Sequence, residues 1–266
     1  MNKPLMSREI SREAYFEEQA RTARTWYRDY LAPYIDLSRR LRILEIGCGE
    51  GGNLLPFAEM GHTVVGIDLS EGKIDNARQF FTKHGCAGTF LCENILDSAP
   101  ADDSERFDLI LIHDVIEHIE QPYKQAFFEQ VRRFSKTGAL TFWAFPAWQM
   151  PFGGHQQICR SRLSKLPWIH LLPTRPYERL LRRSDEPDYT IQDLLSIKRS
   201  AMTAERFEKL CATTGLSIIN RTLWLINPHY QTKFGLTPRR LRLGLDHIPG
   251  LRNFLSTSCF YLTRPN

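Results

Sequence analysis

No run in the 266 residues approaches the roughly 20 consecutive apolar residues that span a bilayer. The longest, such as Leu109 to Ile112 and Ala139 to Phe145, stop far short of it. The N-terminal stretch MNKPLMSREISREAYFEEQ has no apolar core of the kind a secretory signal needs. Cysteine is sparse, at positions 48, 86, 92, 159, 211 and 259, with no C-x-x-C and no histidine at finger-like spacing. Neither a disulfide framework nor a metal site is therefore expected, and reduced thiols in a cytoplasmic protein are the plain reading. What is present is ordinary for a globular chain: 42% hydrophobic and 24% charged residues. That composition excludes disordered and collagen-like classes.

The net charge of +5 conceals an asymmetry. Residues 1–146 carry 17 basic against 22 acidic side chains, and residues 147–266 carry 18 against 8. An acidic first half joined to a basic second half suggests separate tasks. The basic half suits an anionic substrate, peripheral contact with a lipid surface, or nucleic acid.

From about Ser7 to Tyr34 the chain reads as a helix with an aromatic stripe (Tyr15, Phe16, Trp26, Tyr27, Tyr30), ended by Pro33. It is expected to pack on the domain body or close over a ligand as a lid. From Leu41 the pattern becomes strand–helix alternation. Short β-branched runs at 42–46, 64–67, 89–92, 107–112 and just after Gly138 are separated by helix-compatible stretches, of which Ser70 caps one. Such alternation means right-handed βαβ units and a parallel sheet. Between Pro146 and about Arg199 six prolines and a Gly153-Gly154 pair break the pattern, marking an insertion with short helices of its own. A helix after Thr203, strands at 216–225 and 258–262, and an irregular basic stretch between them complete the chain.

The first strand ends in Gly47-Cys48-Gly49-Glu50-Gly51-Gly52, which fits the dinucleotide fingerprint, with Asp68 21 positions after Gly47. NAD-dependent oxidoreductases match that pattern too. Two features separate the alternatives. Glu45, two residues before the first glycine, would repel a pyrophosphate and attract a ligand bearing an ammonium and a sulfonium. Asp68, at the tip of the second strand, can accept both hydroxyls of a ribose.

With these residues in view, ILEIGCGEGGN, VVGIDLSEGKIDNAR, ENILD and FDLILIHDVIEHI, in that order, closely resemble the class I S-adenosylmethionine-dependent methyltransferases. The small-molecule type, including the quinone-biosynthesis enzymes, is the nearest in pattern. The resemblance covers about residues 41–146. It implies an α/β fold: a Rossmann-like, seven-stranded, mostly parallel sheet with an antiparallel last strand and helices on both faces. Around it the sequence adds an N-terminal helical lid (1–40) and an inserted cap (147–200 and 226–257), with 201–225 and 258–266 ending the core. The implied cofactor is S-adenosyl-L-methionine. Carried over by position, Glu45, Gly47, Cys48 and Gly49 border its methionine part, Asp68 holds the ribose and Leu69 meets the adenine. Asn94 and Ile95 reach the adenine edge, and His113, Val115 and His118 lie beside the sulfonium. The family usually has Asp where Asn94 stands; an amide oxygen still accepts from the adenine amino group.

An oxygen acceptor must lose a proton, which calls for a base near neutral pKa. The loop after strand five reads Pro146-Ala-Trp-Gln-Met-Pro-Phe-Gly-Gly-His-Gln157. It nominates His155 as that base, with Trp148, Phe152, Gln156 and Trp168 as substrate-binding groups. The expected activity is O-methylation of a small, partly apolar acceptor, phenolic or lipid-like and open to an anionic group. C-methylation of an activated ring is the alternative, and a non-catalytic cofactor-binding scaffold the non-enzyme one. Nucleic acid is disfavoured as substrate. His113-Asp114-Val115-Ile116 stands where amino-methylating DNA enzymes carry Asn/Asp-Pro-Pro-aromatic, and no RNA-binding motif appears. No docking domain is evident, so no obligate protein partner is expected.

Overall fold

The computed structural model describes residues 11–266. The start of the expected first helix, including Ser7 and Glu9, lies outside the described residues. From Arg12 onward the helix is present. Ser11 caps it by accepting from the Ala14 N–H at 2.9 Å, and α1 (Arg12–Thr22) continues through a π-helical turn (Ala23–Tyr27) into α2 (Arg28–Leu31).

Five strands follow in βαβ fashion: β1 (Arg42–Ile46), β2 (Thr63–Asp68), β3 (Thr89–Cys92), β4 (Phe107–His113) and β5 (Ser135–Phe145). They are linked by α3 (Leu55–Glu59), α4 (Glu71–Lys83) and α5 (Gln121–Phe134). After β5 come α6 (Thr174–Arg183), α7 (Asp188–Ser200) and α8 (Ala204–Thr214), then β6 (Leu216–Ile226), α9 (His229–Phe234), β7 (Arg239–Arg240), α10 (Leu251–Leu255) and β8 (Ser258–Pro265). The strand order is β3-β2-β1-β4-β5-β8-β6-β7. The first five strands pair in parallel, and β8 runs antiparallel between β5 and β6. The sheet has eight strands, not the seven expected, because the two-residue β7 adds an edge to β6. Two arginines carry no strand signature; only the neighbouring edge makes them one.

Apolar runs such as Leu109-Ile-Leu-Ile112 are buried on both faces, as parallel strands covered by helices require. One core layer joins Ile110, Ile112, Phe128, Trp143, Phe207 and Tyr261. The other joins Ile43, Leu109, Leu111 and Phe142 to Phe16, Ala20 and Tyr27 of the N-terminal helix. That helix is thus part of the core, with one edge left over for a ligand. Strand order reverses between β1 and β4, and a crevice opens at the carboxyl ends of the strands at such a switch point.

The insertion packs around a small apolar cluster of its own: Cys159, Tyr177, Leu181, Ile191, Leu194 and Leu195. It is tied to the body where Gln121 Nε2 donates to the Ser200 and Ala201 carbonyls and Arg199 pairs with Glu120 at 2.8 Å. The second stretch assigned to the cap, 226–257, goes elsewhere. His229 Nε2 lies 2.7 Å from Glu18, and buried Arg252 clamps Glu205 and Glu208 at 2.8 and 2.7 Å. It seals the far sheet edge.

Candidate active site

At the switch point lies a cavity of about 1010 Å³, more than the ~300–1,000 Å³ of a typical single-ligand pocket. Its floor is the glycine loop, which the sheet holds rigidly. Gly47 and Cys48 donate their N–H groups to the Ile67 carbonyl at 2.7 and 3.0 Å. Gly47 has φ +70°, and a Cβ there would sit 2.4 Å from Val115 Cγ2. Only glycine lets the loop reach the β4 exit so closely.

Asp68 organises the same loop. Its carboxylate accepts from the Gly49 N–H and the Ser70 N–H, both at 2.9 Å, and Lys73 stands 3.7 Å away. Each oxygen retains acceptor capacity, so ribose hydroxyls can add to these bonds. Leu69 is 74% exposed and lines the cavity beside it. Asn94 and Ile95 line it too. The Asn94 amide is already engaged locally, accepting from Leu96 N at 3.2 Å and donating to Asp97 Oδ2 at 2.8 Å.

Two residues assigned to the cofactor lie beneath the loop, off the cavity wall. Cys48 is buried against Gly66, and burial holds its thiol well above the usual range, so it stays protonated. Glu45 is 1% exposed. Asn53 Nδ2 donates to its Oε1 at 2.7 Å, Oε2 has no hydrogen-bond partner, and burial pushes its pKa up to about 8. Protonated below about pH 8 and off the cavity wall, Glu45 supports the loop through Asn53 and presents no charge to a ligand.

Along the β4 exit, His113, Val115 and His118 all line the cavity. Asp114 adopts φ +54°, a left-handed conformation that Asp tolerates better than most residues. The chain thereby turns, placing 115–118 under the glycine loop. His118 sits on this turn, with its N–H donating to the Val115 carbonyl at 2.9 Å, before α5 begins. Its neighbour Glu117 is 3% exposed; burial first, then Asp114, raises its pKa well above the usual carboxyl range.

The insertion delivers His155 to the same cavity. A Cβ at Gly154 would meet His170 Cβ at 2.3 Å, so the loop passes His170 only as glycine. His155 has φ +56°, and its ring lies 4.9 Å, centroid to centroid, from that of His118 at 73°. The four companions named with it take other places. Gln156 is fully buried and donates to the Pro151 and Leu166 carbonyls, holding the loop's shape. Trp148 packs on His170, whose pKa burial lowers to about 4, so its ring is neutral. Trp168 is 47% exposed and donates Nε1–H to the Gln149 carbonyl. Phe152 accepts the His155 N–H at its carbonyl, and its side chain is off the cavity wall. None of the four lines the cavity.

Sequence reasoning missed the cavity wall made by Arg12, Tyr15 and Gln19 of α1, and also Glu50, which pairs with Arg12 at 3.1 Å. The expected lid carried the signal, but the facing residues needed the packing. Carboxylates of Glu50, Asp68, Glu93, Asp114 and Glu120 face the cavity against the cations of Arg12 and Lys73. Such a field attracts a sulfonium and an ammonium and repels a pyrophosphate.

Comparison with known proteins agrees. Residues 43–138 match a family described as methyltransferase domain. The ubiquinone biosynthesis O-methyltransferase of Chelativorans sp. (strain BNC1) is 38% identical over 102 residues, a match that spans 38% of this chain and 39% of that relative. An uncharacterized methyltransferase of Mycolicibacterium gilvum (strain PYR-GCK) is 26% identical over 228 residues, covering 86% of this chain and 78% of the relative. Among solved structures, magnesium protoporphyrin IX methyltransferase from Synechocystis PCC 6803 with bound S-adenosylhomocysteine superposes with TM-score 0.58 at 12% identity, over 100% of this chain and 90% of that one. A putative sarcosine dimethylglycine methyltransferase from Galdieria sulphuraria gives 0.59 at 18%, over 92% and 84%. Glycine loop, strand-tip aspartate, acidic cavity and sheet order converge on one assignment: residues 43–138 form a class I methyltransferase domain whose cofactor is S-adenosyl-L-methionine.

Proposed function

We propose that the protein transfers the methyl group of S-adenosylmethionine to a hydroxyl oxygen of a small, partly apolar acceptor. The observation that carries the reading is the meeting of His118 and His155 in the cavity that the glycine loop and Asp68 floor. When bound, the cofactor supplies a methyl group on a sulfonium, already activated toward an incoming lone pair. The protein's part is to align the acceptor, exclude water and take the hydroxyl proton. Asp68 and Leu69 hold the nucleoside end, and the β4 exit holds the middle. The imidazoles at the opposite corner meet the acceptor hydroxyl, with His155 as the candidate base. Isoleucine and phenylalanine side chains (Ile119, Phe127) line that region and suit a ring or chain. Arg175, Arg179, Arg182 and Arg183 cluster on α6 away from the cavity, which supports delivery of an apolar acceptor from an anionic lipid surface.

Calorimetry with S-adenosylhomocysteine, followed by transfer of labelled methyl to a panel of phenols with RNA and DNA included, tests the reading. Micromolar binding weakened about a hundredfold by Asp68→Ala, with label in a phenol, is the expected result. Label only in nucleic acid, or tight NADH binding with no response to S-adenosylhomocysteine, overturns it.

A further inference from the structure

We propose that Lys124, buried beneath the turn after β4, is a positioning residue for methyl transfer: it holds the 114–118 turn from below and so sets where His118 meets the acceptor. The proposal rests on the O-methylation reading, because it assigns the acceptor to that end of the cavity. Lys124 stands in an unusual place. The buried face of α5 runs Lys124, Phe127, Phe128, Gln130, Val131 and Phe134, a helical stripe whose first place an apolar residue ordinarily fills. Lys124 is only 2% exposed, so its ammonium does not reach water along the stem. It also lies in the first turn of α5, the positive end of the helix dipole, where a cation is least favoured. Burial and dipole both oppose it, so its partners must offset the cost.

Those partners belong to the turn. Lys124 Nζ donates to the Ile116 carbonyl. Glu117, the next residue, is 3% exposed, and neither of its carboxylate oxygens has a hydrogen-bond partner. Burial lowers the Lys124 pKa to about 7; Glu117 opposes that fall and Arg206 adds to it. Each of the two buried groups is costly alone, and each offsets part of the cost of the other.

The turn is gripped from the other side by the insertion. Ser200 Oγ, at the end of α7, donates to the His118 carbonyl at 3.2 Å, and Gln121, at the start of α5, donates to the Ser200 and Ala201 carbonyls. Ile116 is thus held from α5 and His118 from α7, one on each side of Glu117. Between these two holds the His118 ring meets that of His155. Losing the lower hold lets the turn shift under the acceptor. Asp68 and its bonds to Gly49 and Ser70 lie on other segments and stay in place. A displacement of about 1 Å at the reacting groups costs up to ~10²-fold in rate, so the effect falls on turnover and spares the cofactor.

The test uses Lys124→Met, which fills the same space without charge, and Lys124→Met combined with Glu117→Gln, which leaves no unbalanced carboxyl if the single variant fails to fold. Replacing both members of a buried pair by neutral groups of similar volume is often harmless to stability, so the double variant should keep the wild-type circular dichroism and Tm. Its affinity for S-adenosylhomocysteine, by calorimetry, and its KM for S-adenosylmethionine should stay within about twofold. Its kcat with a phenol should fall at least tenfold. The imidazole signal of His118 in the nitrogen-15 spectrum, assigned with His118→Gln, should move, while that of His62, beyond the glycine loop, stays. The proposal is overturned by an unmoved His118 signal, by kcat within twofold of wild type, by equal losses of cofactor affinity and turnover, or by unfolding of both variants, which would make Lys124 a structural lysine only. Failure of the O-methylation reading looks different: wild-type protein labels no hydroxyl acceptor, and the His118 signal then decides the role of Lys124 by itself.

Discussion

The two ends of the cavity are built in opposite ways. At the cofactor end, loops follow strands adjacent in the sheet, and each key polar group is met by a nearby backbone group: Asp68 by Gly49 and Ser70, Gly47 and Cys48 by Ile67. At the acceptor end, two segments 37 residues apart meet at His118 and His155, and a buried carboxylate is left without donors. The first end is preorganised by its own fold and needs only a ligand of the right charge. The second is assembled across the insertion, and the buried carboxylate of Glu117 has no hydrogen-bond partner there.

The comparison breaks most severely at Gly47. Gly47→Ala sets a methyl carbon 2.4 Å from Val115 Cγ2 in a left-handed backbone. Binding of S-adenosylhomocysteine should fall by more than a hundredfold in calorimetry, with a loss of stability of about 1–3 kcal/mol from overpacking. If affinity is unchanged, the loop is not the rigid floor described. At the other end, His155→Gly should leave that affinity within about twofold, while turnover falls about 10²–10⁴-fold, the usual contribution of a positioned acid–base group. Equal losses in both measurements would mean that the two ends are not separable.

A smaller effect concerns Glu45, whose pKa burial raises to about 8. The unfolded chain ionises this carboxyl near its ordinary pKa, and the folded one near 8. Between those values the folded state holds more protons, so stability is full at low pH and declines as pH rises toward 8. Glu45→Gln should flatten that decline, by a few degrees in Tm, in cofactor-free protein. An unchanged pH profile would show that Glu45 stays ionised beneath the loop. The smallest expected effect is on α6. Arg179→Glu with Arg183→Glu should reduce cosedimentation with anionic vesicles severalfold and leave methyl transfer to a soluble acceptor untouched. No difference in cosedimentation would confine the basic excess to a solvated surface.

The cofactor half was legible because its signals are local. A β-branched run, a glycine loop and an acidic residue at the next strand tip lie within 27 residues, and a parallel strand specifies where each side chain emerges. The acceptor half was legible only in part. The paired glycines pointed to His155, but Trp148, Phe152 and Trp168 read as substrate walls, and Gln156 as a companion of His155, because a side chain in a proline-rich loop carries no periodicity. Whether such a side chain faces a ligand or packs its own loop depends on residues far along the chain, such as Met202, whose carbonyl accepts the Trp148 N–H. The stretch 226–257 misled for the same reason: its Arg252 answers Glu205 and Glu208 on α8, a pairing no local pattern announces.

The sequence by itself determined the βαβ order and the glycine floor, because each depends on neighbours in the chain. Tertiary structure alone decided that α1 would share its aromatic stripe between core and cavity, that an eighth strand would form, and that Glu117 would be buried beside two histidines. Those outcomes depend on which surfaces close over which. Burial and convergence are properties of packing between distant segments, and a one-dimensional pattern carries neither.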